Sequence, residues 1–219
     1  MTKGERPKPF QLVAGNPALD FVNTLDDRFN ERTQELLVSY AELLRFTVES
    51  GLVTSAQARA LRNLPASDQE RSRVLAQAIE LRETLADAAY ALLGEAKVPN
   101  GKLDTLEAYF KQAGAARKLS VDGDLLTWKW PQKMSLAFPL WTLAQAAADL
   151  LSSHRMALMR SCAKETCGWL FLDTSKNHTR RWCDMKLCGN RTKASNYHAR
   201  AAGRKSTSRE TGTPVRSPE

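Results

Sequence analysis

Only one group of residues in this 219-residue chain has the types and spacing to do defined chemistry, and it consists of Cys162, Cys167, Cys183 and Cys188. They form two Cys-x4-Cys pairs separated by fifteen residues. Two close pairs joined by a loop of that size are the layout of a four-cysteine zinc site, in which each pair comes from a tight turn. Zinc takes four soft or borderline ligands in a tetrahedron and binds the sulfurs as thiolates. Lys164, Arg181, Lys186 and Arg191 lie close by in sequence and favour the deprotonated sulfurs. Four sulfur ligands leave no open position, so the expected ion is structural and the chain is not expected to be an enzyme. An iron–sulfur cluster or redox-switched disulfides are the alternatives that the cysteines leave open. His178 could replace one cysteine, but it lies mid-loop and reads better as solvated or facing nucleic acid.

The spacer must bring the second pair back to the first. Gly168–Leu172 alternates like a strand, Asp173–Asn177 is rich in turn residues, and His178–Trp182 can return antiparallel, so a hairpin is expected. Ahead of the cysteines, residues 1–158 read as a helical domain. Asn16-Pro17 opens a helix whose apolar positions Leu19, Val22, Leu25 and Phe29 recur at helical spacing. A second helix carries Leu36 through Val48 and stops at Gly51. Thr54 with Gln57, and Ser67 with Glu70, are capping boxes that open a third helix and a long fourth one closed by Gly94. Another helix holds Leu103, Leu106, Tyr109 and Phe110. Arg117–Val121, the turn Asp122-Gly123-Asp124 and Leu125–Trp130 predict the one β-hairpin of this half. A final apolar helix runs from about 135 to 154. The expected fold class is mainly α: a helical domain with one hairpin, then a small four-cysteine finger built from a β-hairpin followed by a basic helix. The finger is placed at 159–205 and a disordered Ser/Thr/Pro/Arg-rich tail at 206–219.

The run from Cys162 to Arg191 resembles the CGNR-type zinc finger of bacterial transcription regulators. The matching pieces are Cys162, Cys167-Gly168-Trp169, Leu170–Asp173, Ser175, Arg180–Cys183 and Cys188-Gly189-Asn190-Arg191. The segment Ala18–Leu25 is similar to the opening motif of the ABATE domain that accompanies this finger, and Trp141 with Ala148–Leu151 is similar to its last helix. The resemblance implies one zinc on the four cysteines and a role in stress-linked transcription.

Charge supports a polyanion partner. Residues 161–219 hold 12 Lys/Arg against 5 Asp/Glu, whereas residues 1–160 hold 20 against 19, so the finger and tail carry nearly all of the +8 net charge. The stretch 189–205, after Cys188, contains no Leu, Ile, Val, Phe or Met and cannot bury a large apolar stripe. It is expected to project as a basic helix. Candidate nucleic-acid contacts are Arg180, Arg181, Lys186, Asn190, Arg191, Lys193, Arg200 and Arg204, with DNA the expected polymer and RNA not separable from it. Trp169, Phe171 and Trp182 read as the finger's own small core. In the helical half, Asp20 and Asn23 stand one turn apart. They are the candidate ligand pair, although such a pair more often satisfies nearby backbone. A small-molecule effector and a homo-oligomer are left open as partners. No stretch approaches the ~20 apolar residues of a membrane span, and no apolar run follows the basic N-terminus as in a secretory leader, so the expected location is cytoplasmic.

Overall fold

The computed structural model describes residues 9–195. It is mainly helical, with three two-stranded antiparallel ladders. Six helices make the frame: α1 (Pro17–Val22), α2 (Tyr40–Glu49), α3 (Ser55–Arg62), α4 (Asp68–Leu93), α5 (Asn100–Ala115) and α6 (Phe138–Leu151). Local chemistry sets most of their ends. Asn16 caps α1 by accepting from the Ala18 N–H, with Pro17 in the first turn. Both expected capping boxes form, Thr54 with Gln57 on α3 and Ser67 with Glu70 on α4. Beyond α2, Gly51 takes the left-handed backbone (φ 77°) that a Cβ would disfavour.

Three boundaries differ from the sequence expectation. Helix α1 stops at Val22 rather than continuing through Leu25 and Phe29. The Thr24 hydroxyl donates to the Phe21 carbonyl, and Leu25–Asp26 (β1) pairs with Gln34–Glu35 (β2). Leu36 and Leu37 precede α2, whose cap is Ser39. Helix α5 starts ahead of Leu103, with Asn100 and Gly101 in its first turn behind Pro99.

The expected hairpin forms as β3 (Lys118–Asp122) and β4 (Leu125–Lys129), in the register Lys118↔Lys129 to Asp122↔Leu125, with Gly123 at φ 60° in the turn. The third ladder pairs β5 (Met159–Ser161) with β6 (Leu170–Leu172). This corrects the expected finger hairpin. The partner of β6 is the strand before Cys162, and 178–182 is not a strand. A single 3-10 turn, His154–Leu158, links α6 to β5.

One contiguous core runs through both halves. It contains Leu19, Phe21, Leu43, Phe46, Leu81, Leu85, Phe138 and Leu143 of the helices, together with Trp169, Leu170, Phe171 and all four cysteines. Phe10 joins it by packing edge-on against Phe46, with the Arg45 guanidinium 3.9 Å from the centre of its ring. A buried ion network pins β1 and β2 to α4. Arg82, only 2% exposed, holds both carboxylate oxygens of Glu35 (2.7 and 2.6 Å), the Thr24 hydroxyl and Glu83, and Glu83 also pairs with Arg28. Removing one partner from such a cluster is costly because a buried charge is left behind.

Candidate metal centre

The first cysteine pair sits on the turn that joins β5 to β6. The Cys162 N–H donates to the Trp169 carbonyl (2.8 Å), and the Cys167 N–H closes a turn onto Lys164 (3.0 Å). Gly168 then reverses the chain at φ 67°. A Cβ there would fall 2.6 Å from the Phe29 ring, and the Gly168 carbonyl accepts from the Tyr90 hydroxyl. Glycine is therefore required by both conformation and space. The second pair sits on a tight helical turn. Asp184 caps it by accepting from the Lys186 and Leu187 N–H groups, and a wide turn over Met185–Gly189 leads into helical residues 190–195. At Gly189 a Cβ would displace the end of the exposed Met185 side chain and press on the Trp182 ring. One backbone bond, from the Ala163 N–H to the Arg181 carbonyl (2.8 Å), ties the two turns together.

These turns converge the four sulfurs. All are buried and lie within 4.8 Å of one another. The Cys167–Cys183 and Cys183–Cys188 sulfur separations are 3.9 and 3.6 Å. Four sulfurs at the usual zinc–sulfur bond length stand about 3.8 Å apart along a tetrahedral edge, so the donor set fits zinc. All four cysteines are free thiols in this structure, with none joined in a disulfide. The four sulfurs are electrostatically coupled. The Cys162 thiol is pulled down by hydrogen bonds from Cys167, then from Cys183 and Cys188, while Cys183 is pushed up by Cys162, Cys167 and Cys188. Four adjacent sulfurs cannot all ionise unless a positive ion offsets their repulsion.

The spacer is organised by Asp173. Its Oδ1 accepts from the Ser175 N–H and hydroxyl, and its Oδ2 accepts from the Arg180 N–H (2.9 Å). The Ser175 hydroxyl, ahead of the backbone donors, holds the carboxyl below its usual range. His178 is exposed, binds the Asp173 carbonyl through Nδ1 (2.8 Å) and lies outside the sulfur cluster.

The outer edge of β6 is held by the N-terminal half. The Asn23 side chain makes a two-point clamp on Leu170. Its Nδ2 donates to the Leu170 carbonyl and its Oδ1 accepts from the Leu170 N–H, both at 2.9 Å. The Leu172 N–H donates to the Ala14 carbonyl, and Asp20 accepts from the Ala14 N–H (2.9 Å). Burial pushes Asp20 up to about 6, against the pull of the Ala14 and Val13 N–H groups. Asp20 and Asn23 thus both hold backbone, and the strand that Asn23 holds lies 147 residues away.

The candidate nucleic-acid residues separate into two groups. Arg180 points inward. Its guanidinium donates to the Trp182 and Val13 carbonyls and lies 4.4 Å from the Phe171 ring centre. Arg181, Lys186, Asn190, Arg191 and Lys193 are exposed. Arg181 and Lys193 lie over the Trp182 ring. Arg181, Arg191, Thr192, Ser195 and Lys164 line an open recess of about 510 Å³ beside the cysteine turns. Arg200 and Arg204 fall outside the described residues. Trp169 and Phe171 are buried as the finger's core, and Trp182 is half-buried. The Arg82 network was not anticipated. An arginine on a long helix carries no sequence signal of burial, and Glu35 is distant in the chain.

A family model described as "Putative stress-induced transcription regulator", ABATE, matches residues 15–154. The chain belongs to this family. A second model, the CGNR zinc finger, matches residues 159–201. No curated protein matches the chain. With the finger match and the sulfur geometry together, the four cysteines are the ligands of one structural zinc ion. Among the described residues, no helix is long and apolar enough to cross a membrane.

Proposed function

We propose that this ABATE protein is a non-catalytic, stress-linked transcription regulator that binds DNA through its finger, with residues 1–158 and 159–205 as its two functional parts. The observation that carries this reading is the recess lined by Arg181, Arg191 and Lys164 with the hydroxyls of Thr192 and Ser195. One carboxylate, Glu165, shares the lining, and Lys164 also pairs with Asp27 at 3.5 Å, so the recess keeps an excess of positive charge centred on Arg181 and Arg191. That excess suits phosphate oxygens, and arginine forks hold phosphates bidentately. The helical residues 190–195 support it too. Apart from half-buried Thr192, whose hydroxyl bonds the Cys188 carbonyl, they are exposed. Closure of the zinc by four thiolates supports a structural ion with no position for water or substrate.

A second reading, that the finger serves only as a brace, is favoured by the Asn23–Leu170 clamp. The two readings differ in a binding measurement. The zinc-loaded full-length protein is titrated with duplex DNA at several salt concentrations. DNA binding is expected to weaken steeply with salt, and Arg181→Ala and Arg191→Ala are each expected to reduce the salt slope by about one. Absence of binding at low salt would leave the finger as a brace. Equal binding to single-stranded RNA would move the assignment from DNA to RNA.

A further inference from the structure

A small cavity lies between the helical half and the finger. Its volume is about 230 Å³, and its walls come from both parts of the chain. Asp26, at the end of β1, and Asp27 after it bring negative charge from the helical half. Lys164 and Arg191 bring positive charge from the finger. Trp169, Leu36 and Leu187 make an apolar part of the wall.

The charges are not all neutralised by one another. Lys164 and Asp27 meet at 3.5 Å, so both signs reach the same space. Asp26 uses one carboxylate oxygen to accept from the Asp27 N–H (2.8 Å) and pairs with no cation among the described residues. Arg191 pairs with no carboxylate among them. Trp169 adds a donor without an acceptor, since it is 6% exposed and its Nε1 is buried with no partner among the described residues. Cys167 and Cys188 also line the cavity, and a zinc ion on four thiolates keeps a net charge of about −2. The walls taken together are therefore not positive, and an anion alone is disfavoured. A cation alone would leave Arg191 without a counter-ion. The occupant that these walls match carries both signs close together on an apolar body.

We propose that this cavity binds a free α-amino acid with an apolar side chain. Arg191 takes the carboxylate in its fork, Asp26 takes the ammonium, and the side chain lies against Trp169, Leu36 and Leu187. Size agrees with this class. Drug-sized ligands occupy roughly 300–1,000 Å³, so a cavity of about 230 Å³ suits a ligand of about ten non-hydrogen atoms. Leucine, methionine and phenylalanine are of that size. Arg191 also lines the recess assigned to phosphate, so the two sites share one side chain. The amino-acid site goes beyond the DNA reading and does not rest on it, and its test uses no DNA.

Isothermal titration calorimetry on the full-length, zinc-loaded protein tests this, with L-leucine, L-methionine and L-phenylalanine as the probes. At least one is expected to bind with a dissociation constant on the order of 100 µM, as a ligand of this size allows. The analogues of the tightest binder that lack one charge (for leucine, 3-methylbutylamine and 4-methylpentanoate) are expected to bind at least about tenfold more weakly. Asp26→Asn keeps an acceptor for the Asp27 N–H, and Arg191→Gln changes an exposed side chain. Each is expected to weaken binding about tenfold with far-UV circular dichroism and thermal midpoint unchanged. Absence of binding by all three amino acids at about 10 mM overturns the proposal. So does an amine or an acid that binds as tightly as the amino acid, and so does either variant if it binds like wild type.

Discussion

Two of the three antiparallel ladders, β3–β4 and β5–β6, have opposite fates. In β3–β4 each strand has five residues, an Asp-Gly turn and full pairing, yet its apolar face is open to solvent. In β5–β6 each strand has three residues, yet every residue of β6 is buried. Their surroundings make the difference. An isolated two-stranded ribbon is marginal in water. The second hairpin is locked on three sides, by the sulfur cluster at its turn, by the Asn23 clamp on its outer edge and by the shared core beneath it. Strand content is a poor guide to which hairpin holds the molecule together.

The largest expected effect on this contrast comes from the metal. Cys183→Ser, or chelation, should release the zinc and cost on the order of 10 kcal/mol. Because Phe171 and Leu172 belong to the common core, calorimetry should show the transition of the whole chain moving down. A finger step that melts alone, with the helical transition unmoved, would make the two hairpins equally peripheral.

Next in size is Asn23→Ala, which strips both partners from the buried backbone of Leu170. A loss of about 2–4 kcal/mol in urea unfolding is expected. A loss below about 0.5 kcal/mol would show that water replaces the clamp.

Asp20 gives a smaller, pH-dependent effect. Its carboxyl is raised to about 6 from an ordinary 3.8. The native state therefore holds the proton more tightly, so this stabilisation is complete below 3.8 and lost as pH rises through about 6. Asp20→Asn keeps an acceptor for the Ala14 N–H without the buried charge. The variant should gain on wild type by about 2–3 kcal/mol between pH 4 and 7, read as the difference in unfolding free energy. A constant difference across that range would mean that Asp20 is ionised throughout.

The smallest effect is expected on the open hairpin. Val121→Thr should change stability by no more than about 0.5 kcal/mol in thermal melts.

What the sequence made legible follows from how local the cause is. Both capping boxes, the Gly51 stop and the Asp122-Gly123-Asp124 turn depend on neighbours within a few residues, and each forms as the pattern implies. The zinc ligands were legible because metal sites of this kind use close pairs from tight turns. The end of α1 was not, since the apolar spacing from Leu19 to Phe29 continues past the point where Asn23 is held by Leu170. The β1–β2 ladder has no strand pattern of its own and rests on Arg82 of α4. The finger hairpin was expected inside the spacer, with His178–Trp182 returning on Gly168–Leu172, but β6 pairs with Met159–Ser161 instead. Trp128 is exposed because the ribbon that carries it leaves the body.

The Asn23 clamp also has a consequence for biogenesis. A ribosome releases Asn23 147 residues before Leu170. At about 5–20 residues per second that interval is roughly 7–30 seconds. For that time the nascent helical half carries an open amide and an uncovered apolar flank, both waiting for a strand that has not yet been translated. A premature stop between the two positions would yield a chain that can never close, and such a fragment should be a substrate for chaperones and proteases.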